Sequence, residues 1–225
     1  MKWLLGYAAA LCLLVLIICT SIVLPTFFLP FYSSQYKKNE TAEKIFISGE
    51  ELTAVTKHLL GYMNGRLDDL VVYANIGGEE REFFNQREKD HMEDVRDLFA
   101  ICFKTRNIAF YLLMFIILLM AFLRLKVLQL LSQCGREVVT GFLILAAVLV
   151  VIVAVDFDRA FNVFHLLFFN NDLWKLDPAK DLLINIVPIE FFMSIASLIG
   201  GLILFFSAVV ITGGTFYLRK FKPFC

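Results

Sequence analysis

Four stretches of this chain are long and apolar enough to cross a hydrocarbon core of about 30 Å at a helical rise of about 1.5 Å per residue. They cover residues 4–24, 108–123, 138–155 and 191–211, the second needing its flanking residues to complete a crossing. Within lipid each span must satisfy its own backbone hydrogen bonds, so helices are the economical solution. A mean hydropathy of +0.74 and 59% hydrophobic residues exclude a soluble domain of 225 residues. The expected fold class is an all-α integral membrane protein, four transmembrane helices with an extracytoplasmic cap. The formal net charge is zero, which gives no indication of nucleic-acid binding.

Orientation follows from the short flanks, where the positive-inside bias operates. Lys2 precedes the first span. Arg124, Lys126 and Arg136, with one acid, Glu137, separate the second and third, and Arg219, Lys220 and Lys222 follow the fourth. All three flanks read as cytoplasmic, giving N-in, C-in. The chain then divides into a first span and its outer exit (1–32), an extracytoplasmic cap (33–106), a second span (107–125) and a cytoplasmic loop (126–137). A third span (138–155), an outer aromatic interfacial loop (156–188), a fourth span (189–218) and a cytoplasmic tail (219–225) complete it. The first apolar run exceeds a usual signal h-region and lacks an A-x-A-like site, so it reads as a retained anchor. Cys12, Cys19, Cys102, Cys134 and Cys225 show no C-x-x-C spacing and read as isolated thiols.

The cap carries order signals. Ser48-Gly-Glu-Glu51 fits a helix capping box, and Leu52, Val55, Leu59 and Met63 follow at helical spacing before Asn64-Gly65. The run 70–78 ends in two glycines and fits either a strand or a buried loop. A strongly helical stretch resumes near Gln86. At 100° per residue His91, Val95, Leu98 and Cys102 share one face, with Glu88, Lys89 and Arg96 elsewhere. A helix running straight into the second span would lift His91 about 25 Å above Ile108, whereas a break near 104–107, or a helix lying along the membrane surface, would bring it down to the lipid boundary. In the second outer loop Phe157, Phe161, Phe164 and Phe168 form an aromatic stripe, with Asp158, Asn162 and His165 along its flank. Trp174 is an interfacial aromatic, and Gly213-Gly214 reads as ordinary helix termination.

Only three histidines occur. His91 and His165 fall in separate segments assigned to the same side, and imidazole is the side chain suited to proton transfer near neutral pH. Asp94 is placed to orient His91, and Asp158 and Asn162 lie beside His165. Either histidine read singly is equally well a structural residue, and His58 reads as solvated. A mixed metal site of His91, Asp94, His165 and Asp158 is a weaker alternative, without H-E-x-x-H or a compact ligand cluster. Neither a G-x-S-x-G nor a trusted Cys/His pairing supplies a nucleophile, which favours acid–base chemistry on a group of the substrate itself. Phe99, Phe161, Phe164, Phe168, Phe169 and Trp174 fit an acyl-chain pocket, or simply bundle filling.

The sequence HMEDVRDLF (91–99), then a span, a basic turn, a second span and FHLLFFNNDLWKLDP (164–178), resembles the bacterial lipoprotein intramolecular transacylases, small four-span membrane proteins of Gram-positive bacteria. The resemblance extends over essentially the whole chain, although the first half of the cap carries no matching motif. It implies catalytic histidines at His91 and His165 near the cap–membrane junction, facing outward from the bacterial cell membrane. It also implies a diacylglyceryl lipoprotein substrate, with membrane lipids as surroundings and no cofactor. The implied reaction moves the sn-2 acyl chain to the α-amino group of the N-terminal cysteine, giving the lyso form. The rival reading from another class is a non-enzymatic accessory protein that docks a partner through its cap.

Overall fold

The computed structural model describes residues 1–221, apart from the side chains of 152–154. Lys222 and Cys225, assigned above to the tail, lie outside the described residues. The elements in chain order are α1 (Lys2–Thr26), α2 (Leu29–Asn39), α3 (Thr41–Lys44), α4 (Gly49–Met63), β1 (Tyr73–Ile76) and β2 (Glu79–Glu82). They continue with α5 (Gln86–Phe122), α6 (Val127–Val155), α7 (Phe157–Phe168), α8 (Leu182–Ile186) and α9 (Ile189–Lys220). Four of these helices, α1, α5, α6 and α9, are long and apolar enough to span a membrane. The chain is an integral, multi-pass membrane protein, and among the described residues the strands are limited to one short hairpin.

One compact unit comprises Met1–Ile22, Phe103–Phe161 and the chain from Ile199 onward. Ala9 and Cys12 of α1 pack with Ala109, Ile116 and Met120 of α5 and Leu130 of α6. The α5 helix ends where Arg124 adopts φ +55°, with the N–H of Leu125 donating to the Met120 carbonyl and that of Arg124 to Ala121. This wrap satisfies the last carbonyls and turns the chain into α6. Gly214 does not terminate a helix, contrary to the reading of 213–214 above. It lies inside α9, where the carbonyl oxygen of Ser132 stands 2.9 Å from the position a Cβ would take. A glycine here admits the close backbone approach by which helices associate in lipid.

The second unit comprises Val23–Cys102 and Asn162–Leu198. Ser48 caps α4 by accepting the Glu51 N–H, and Leu52, Val55, Leu59 and Met63 are all buried. The Glu51 carboxylate also accepts the N–H of Asn75 at 3.0 Å, tying the hairpin to the start of α4. The run at 70–78 resolves into strand β1, antiparallel to β2 with Ile76 opposite Glu79. Gly77 and Gly78, at φ +64° and +94°, make the two-residue turn. Both positions need positive φ in the turn type that matches strand twist.

α5 runs unbroken through 104–107, since 86–122 contains neither glycine nor proline. Its first turn is closed reciprocally. The Glu88 N–H donates to Asn85 Oδ1, and the Asn85 N–H donates to Glu88 Oε2 at 2.7 Å. Glu88, read above with the charged residues off the His91 stripe, is only 1% exposed. Its other oxygen accepts the Leu183 N–H of α8 at 2.5 Å. Asn85 Nδ2 donates to Asp181, whose second oxygen accepts the Asp177 N–H. Burial raises the Glu88 carboxyl above its ordinary value, while these donors work the other way.

Replacing Glu88 by Gln leaves an N–H of Leu183 or Asn85 facing an amide NH₂ in a dry site, a cost of about 1–3 kcal/mol. The expected result is a lower Tm for the purified protein in detergent, with helical content retained. A Tm equal to that of the parent would show that this network does not hold α5 to α8.

Candidate active site

The site lies within the second unit. Three residues after Glu88, one turn on, α5 presents His91, and near its end α7 presents His165. The two rings are 6.3 Å apart between centroids and inclined at 39°. Both histidines are buried, with 8% and 6% of their surface exposed. Phe169 contacts both, at 5.4 Å from His91 and 5.7 Å from His165. Trp174 stacks on His165 at 4.6 Å and 25°, and Phe164 meets it at 81°.

The loop after α7 brings Trp174 to this position. Asn171 Oδ1 accepts the Leu173 N–H, an Asx-type turn. Trp174 Nε1 donates to the Asn171 carbonyl at 3.0 Å, and Asn171 Nδ2 donates to Asp94 Oδ2 at 2.8 Å. The Arg87 guanidinium donates to the Asp172 carbonyl, and Lys175 pairs with Asp172 at 2.6 Å. Two contacts from the polar start of α5, through Asp94 and Arg87, thus seat the loop that covers His165.

His91 lies in this polar part of α5, well before the apolar run that starts at Ile108. Burial, reinforced by the neighbouring His165, pushes its imidazole down to about 4, Asp94 opposing and Arg87 adding to the shift. The ring is neutral at physiological pH. Its Nδ1 is buried without a hydrogen-bond partner among the described residues. Unsatisfied buried polar atoms are rare and concentrate where chemistry or strain needs them.

The residues singled out from the sequence separate into groups. His91, His165, Phe164, Phe169 and Trp174 come together. Asp94 engages Asn171 and so supports the loop over His165 as well as neighbouring His91. Asn162 is exposed on α7, and Asp158 and Phe161 belong to the other unit. Phe99 packs edge-on against Phe27 at 5.3 Å, and Phe168 lies against Phe164 at 4.8 Å. The aromatic stripe of α7 does not face inward: Phe164 and Phe168 are 47% and 48% exposed, and His165 is the buried residue of that helix. Apolar residues that face hydrocarbon need no protein cover, so the stripe and the buried flank exchange the sides expected of a soluble helix. His58 is partly exposed near the Asp69 carbonyl. Sequence reading missed Asn171 and Glu88. The N-x-x-E spacing at 85–88 was a legible capping signal for the second, whereas nothing local marks the Asn171–Asp94 contact.

Fold and site together define a multi-pass membrane protein with a buried imidazole pair held in an aromatic enclosure. The family model of the lipoprotein intramolecular transacylase Lit matches residues 7–192. The chain belongs to this family and is a lipoprotein-modifying acyl-transferring enzyme. In fold it is similar to the membrane-integral lipoprotein intramolecular transacylase Lit from Bacillus cereus, with a TM-score of 0.78 and 19% identity over 98% of this chain and 97% of that one. Two variants of that protein, with a histidine replaced by arginine or by alanine, match at a TM-score of 0.74 and 18% identity. They cover 98% of this chain and 93% and 94% of their own. A comparison with curated proteins found no match.

The depressed His91 value has a consequence for stability. Between pH 6.5 and about 4 the unfolded chain takes up a proton at this ring that the folded chain does not. Stability contributed above that window is therefore lost as pH falls through it. Thermal unfolding at pH 7.5 and 4.5 should show a smaller acid-induced drop in Tm for His91→Gln than for the parent. Equal drops would mean that His91 titrates normally in the fold.

Proposed function

We propose that His91 and His165 serve an acyl migration within a diacylglyceryl lipoprotein, moving the sn-2 chain from its glyceryl oxygen to the α-amino group of the N-terminal cysteine. The observation that carries this reading is the pair itself: two buried imidazoles, 6.3 Å between centroids, one with an unpartnered nitrogen. In the reaction the amine nitrogen attacks the ester carbonyl. A C–N bond forms, the bond from carbonyl carbon to the sn-2 oxygen breaks, and the oxygen leaves as a hydroxyl. One imidazole receives the amine proton, and the other stabilises the oxyanion or supplies the proton that the alkoxide needs.

Nucleophile and ester belong to one molecule, so the protein needs neither a nucleophile of its own nor a cofactor. Counted from amine nitrogen to acyl carbon, the cyclic transition state has about eight members. A ring of that size closes slowly in free solution, and confinement between buried aromatic walls contributes much of the acceleration. Trp174, Phe169 and the edge-on Phe164 are the walls that touch the imidazoles; Phe164 and Phe168, half exposed, also suit contact with lipid chains. The basic flanks support an N-in, C-in arrangement in a bacterial cell membrane, with the histidines on the outer side, and nothing in the charge pattern favours nucleic acid.

The test is expression in a host that makes only diacylglyceryl lipoproteins, followed by mass spectrometry of lipoprotein N-termini. Wild-type protein should generate the lyso form. His91→Ala and His165→Ala should each lower conversion at least about 100-fold while still folding in the membrane. Undiminished product from either variant removes that histidine from the reaction.

A further inference from the structure

The two imidazoles are surrounded differently. His165 lies face-on against Trp174, at 4.6 Å and 25°. Among the described residues His91 has no stacked aromatic; its contact with Phe169 is made at 73°. An indole face is the negative end of the ring quadrupole and the best aromatic surface for a cation. Such a stack favours imidazolium over imidazole, and only one member of the pair receives it.

The indole is also fixed in place. Its Nε1 donates to the Asn171 carbonyl, and the Asn171 amide donates to Asp94, which rides on α5 three residues beyond His91. The path from the backbone that carries His91 to the ring that covers His165 therefore consists of covalent bonds and two hydrogen bonds. We propose that Asp94, Asn171 and Trp174 form a positioning clasp that keeps the indole face on His165, so that His165 is the proton-carrying member of the pair and His91 the acceptor. The catalytic part of this inference rests on the transacylase reading above.

Other charged groups lie on α5 and on the loop after α7. α5 contributes Arg87 and Asp94, which act in opposite senses on His91. The loop contributes Lys175, 5.4 Å from the indole centroid, and its partner Asp172. Arg87 and Asp94 act on His91 in opposite senses, and Lys175 pairs with Asp172, so the stacked indole is the difference between the two rings that the geometry shows. In the reaction His165 gives its proton to the sn-2 oxygen as the C–O bond breaks, and His91 receives the amine proton. Return of that proton from His91 to His165 restores both rings with no net change.

With only three histidines in the chain, Cε1-labelled histidine signals can be assigned by removing His58 and His91 in turn, in protein held in lipid nanodiscs. In the wild type His165 should titrate above His91; the reverse order would overturn the proposal. Trp174→Leu should lower the His165 titration by about half a pH unit, and Trp174→Phe, which keeps a weaker aromatic face, by less. Asn171→Ala, which frees the indole without removing it, should give an intermediate shift. An unchanged His58 signal and a retained Tm establish folding for each variant. The alkaline limb of the conversion rate should move to lower pH with the His165 titration, because the acid must be protonated to act. A purely structural role would reduce the rate without moving either the limb or the titration, and an unmoved titration in Trp174→Leu overturns the proposal. If wild-type protein makes no lyso form, the proposed function fails, and the titrations still decide the clasp.

Discussion

A carboxylate hidden from water must be met by donors, and Glu88 is met entirely by main-chain N–H groups. Its two oxygens accept from Asn85, at the start of its own helix, and from Leu183, at the start of α8. That requirement fixes where α5 begins and which segment lies against it. The phase of α5 then determines that His91, one turn on, points into the same buried region. Asp94 follows one turn later and receives Asn171. Three residues spaced three apart along α5 thus perform three jobs: anchoring α8, presenting an imidazole, and holding a loop.

Much of the architecture was legible in the order of residues. The four spans follow from hydropathy, because hydrocarbon thickness sets a minimum apolar length that few soluble helices reach. The capping serine at 48 and the stripe from Leu52 to Met63 follow from local rules. The placing of His91 at the head of an apolar stripe follows from helical phase. Other features were not legible. The α7 stripe was legible as an interfacial aromatic run, but its spacing did not show that Phe164 and Phe168 would be half exposed and His165 buried, because apolarity does not indicate the interior when the surroundings are hydrocarbon. Asn171 and Asp94 are 77 positions apart, and no spacing rule connects residues on different elements. Glu88 looked solvated because charge usually is, although its reciprocal cap with Asn85 was written in the sequence.

The proposed acyl shift asks little of the protein beyond placement. When attacking amine and acceptor ester share a molecule, the cost is entropic and the remaining task is to move protons in step with bond making and breaking. A buried pair in unequal surroundings suits that task, since two groups driven to opposite protonation states act together as base and acid. Stacked indole on one side and unsatisfied nitrogen on the other are the local expressions of that inequality.

Gly214 carries a different lesson about where such an enzyme is vulnerable. A β-carbon there would stand 2.9 Å from the Ser132 carbonyl oxygen, and helices parted in lipid have no hydrophobic force drawing them together again. A single methyl group, added to a residue with no side chain and no part in proton transfer, would loosen a helix contact that nothing else restores. Harmful substitutions in this chain should therefore cluster in two populations, one around the imidazoles and one at small residues within the spans, and the second would pass unnoticed in any search restricted to reactive groups.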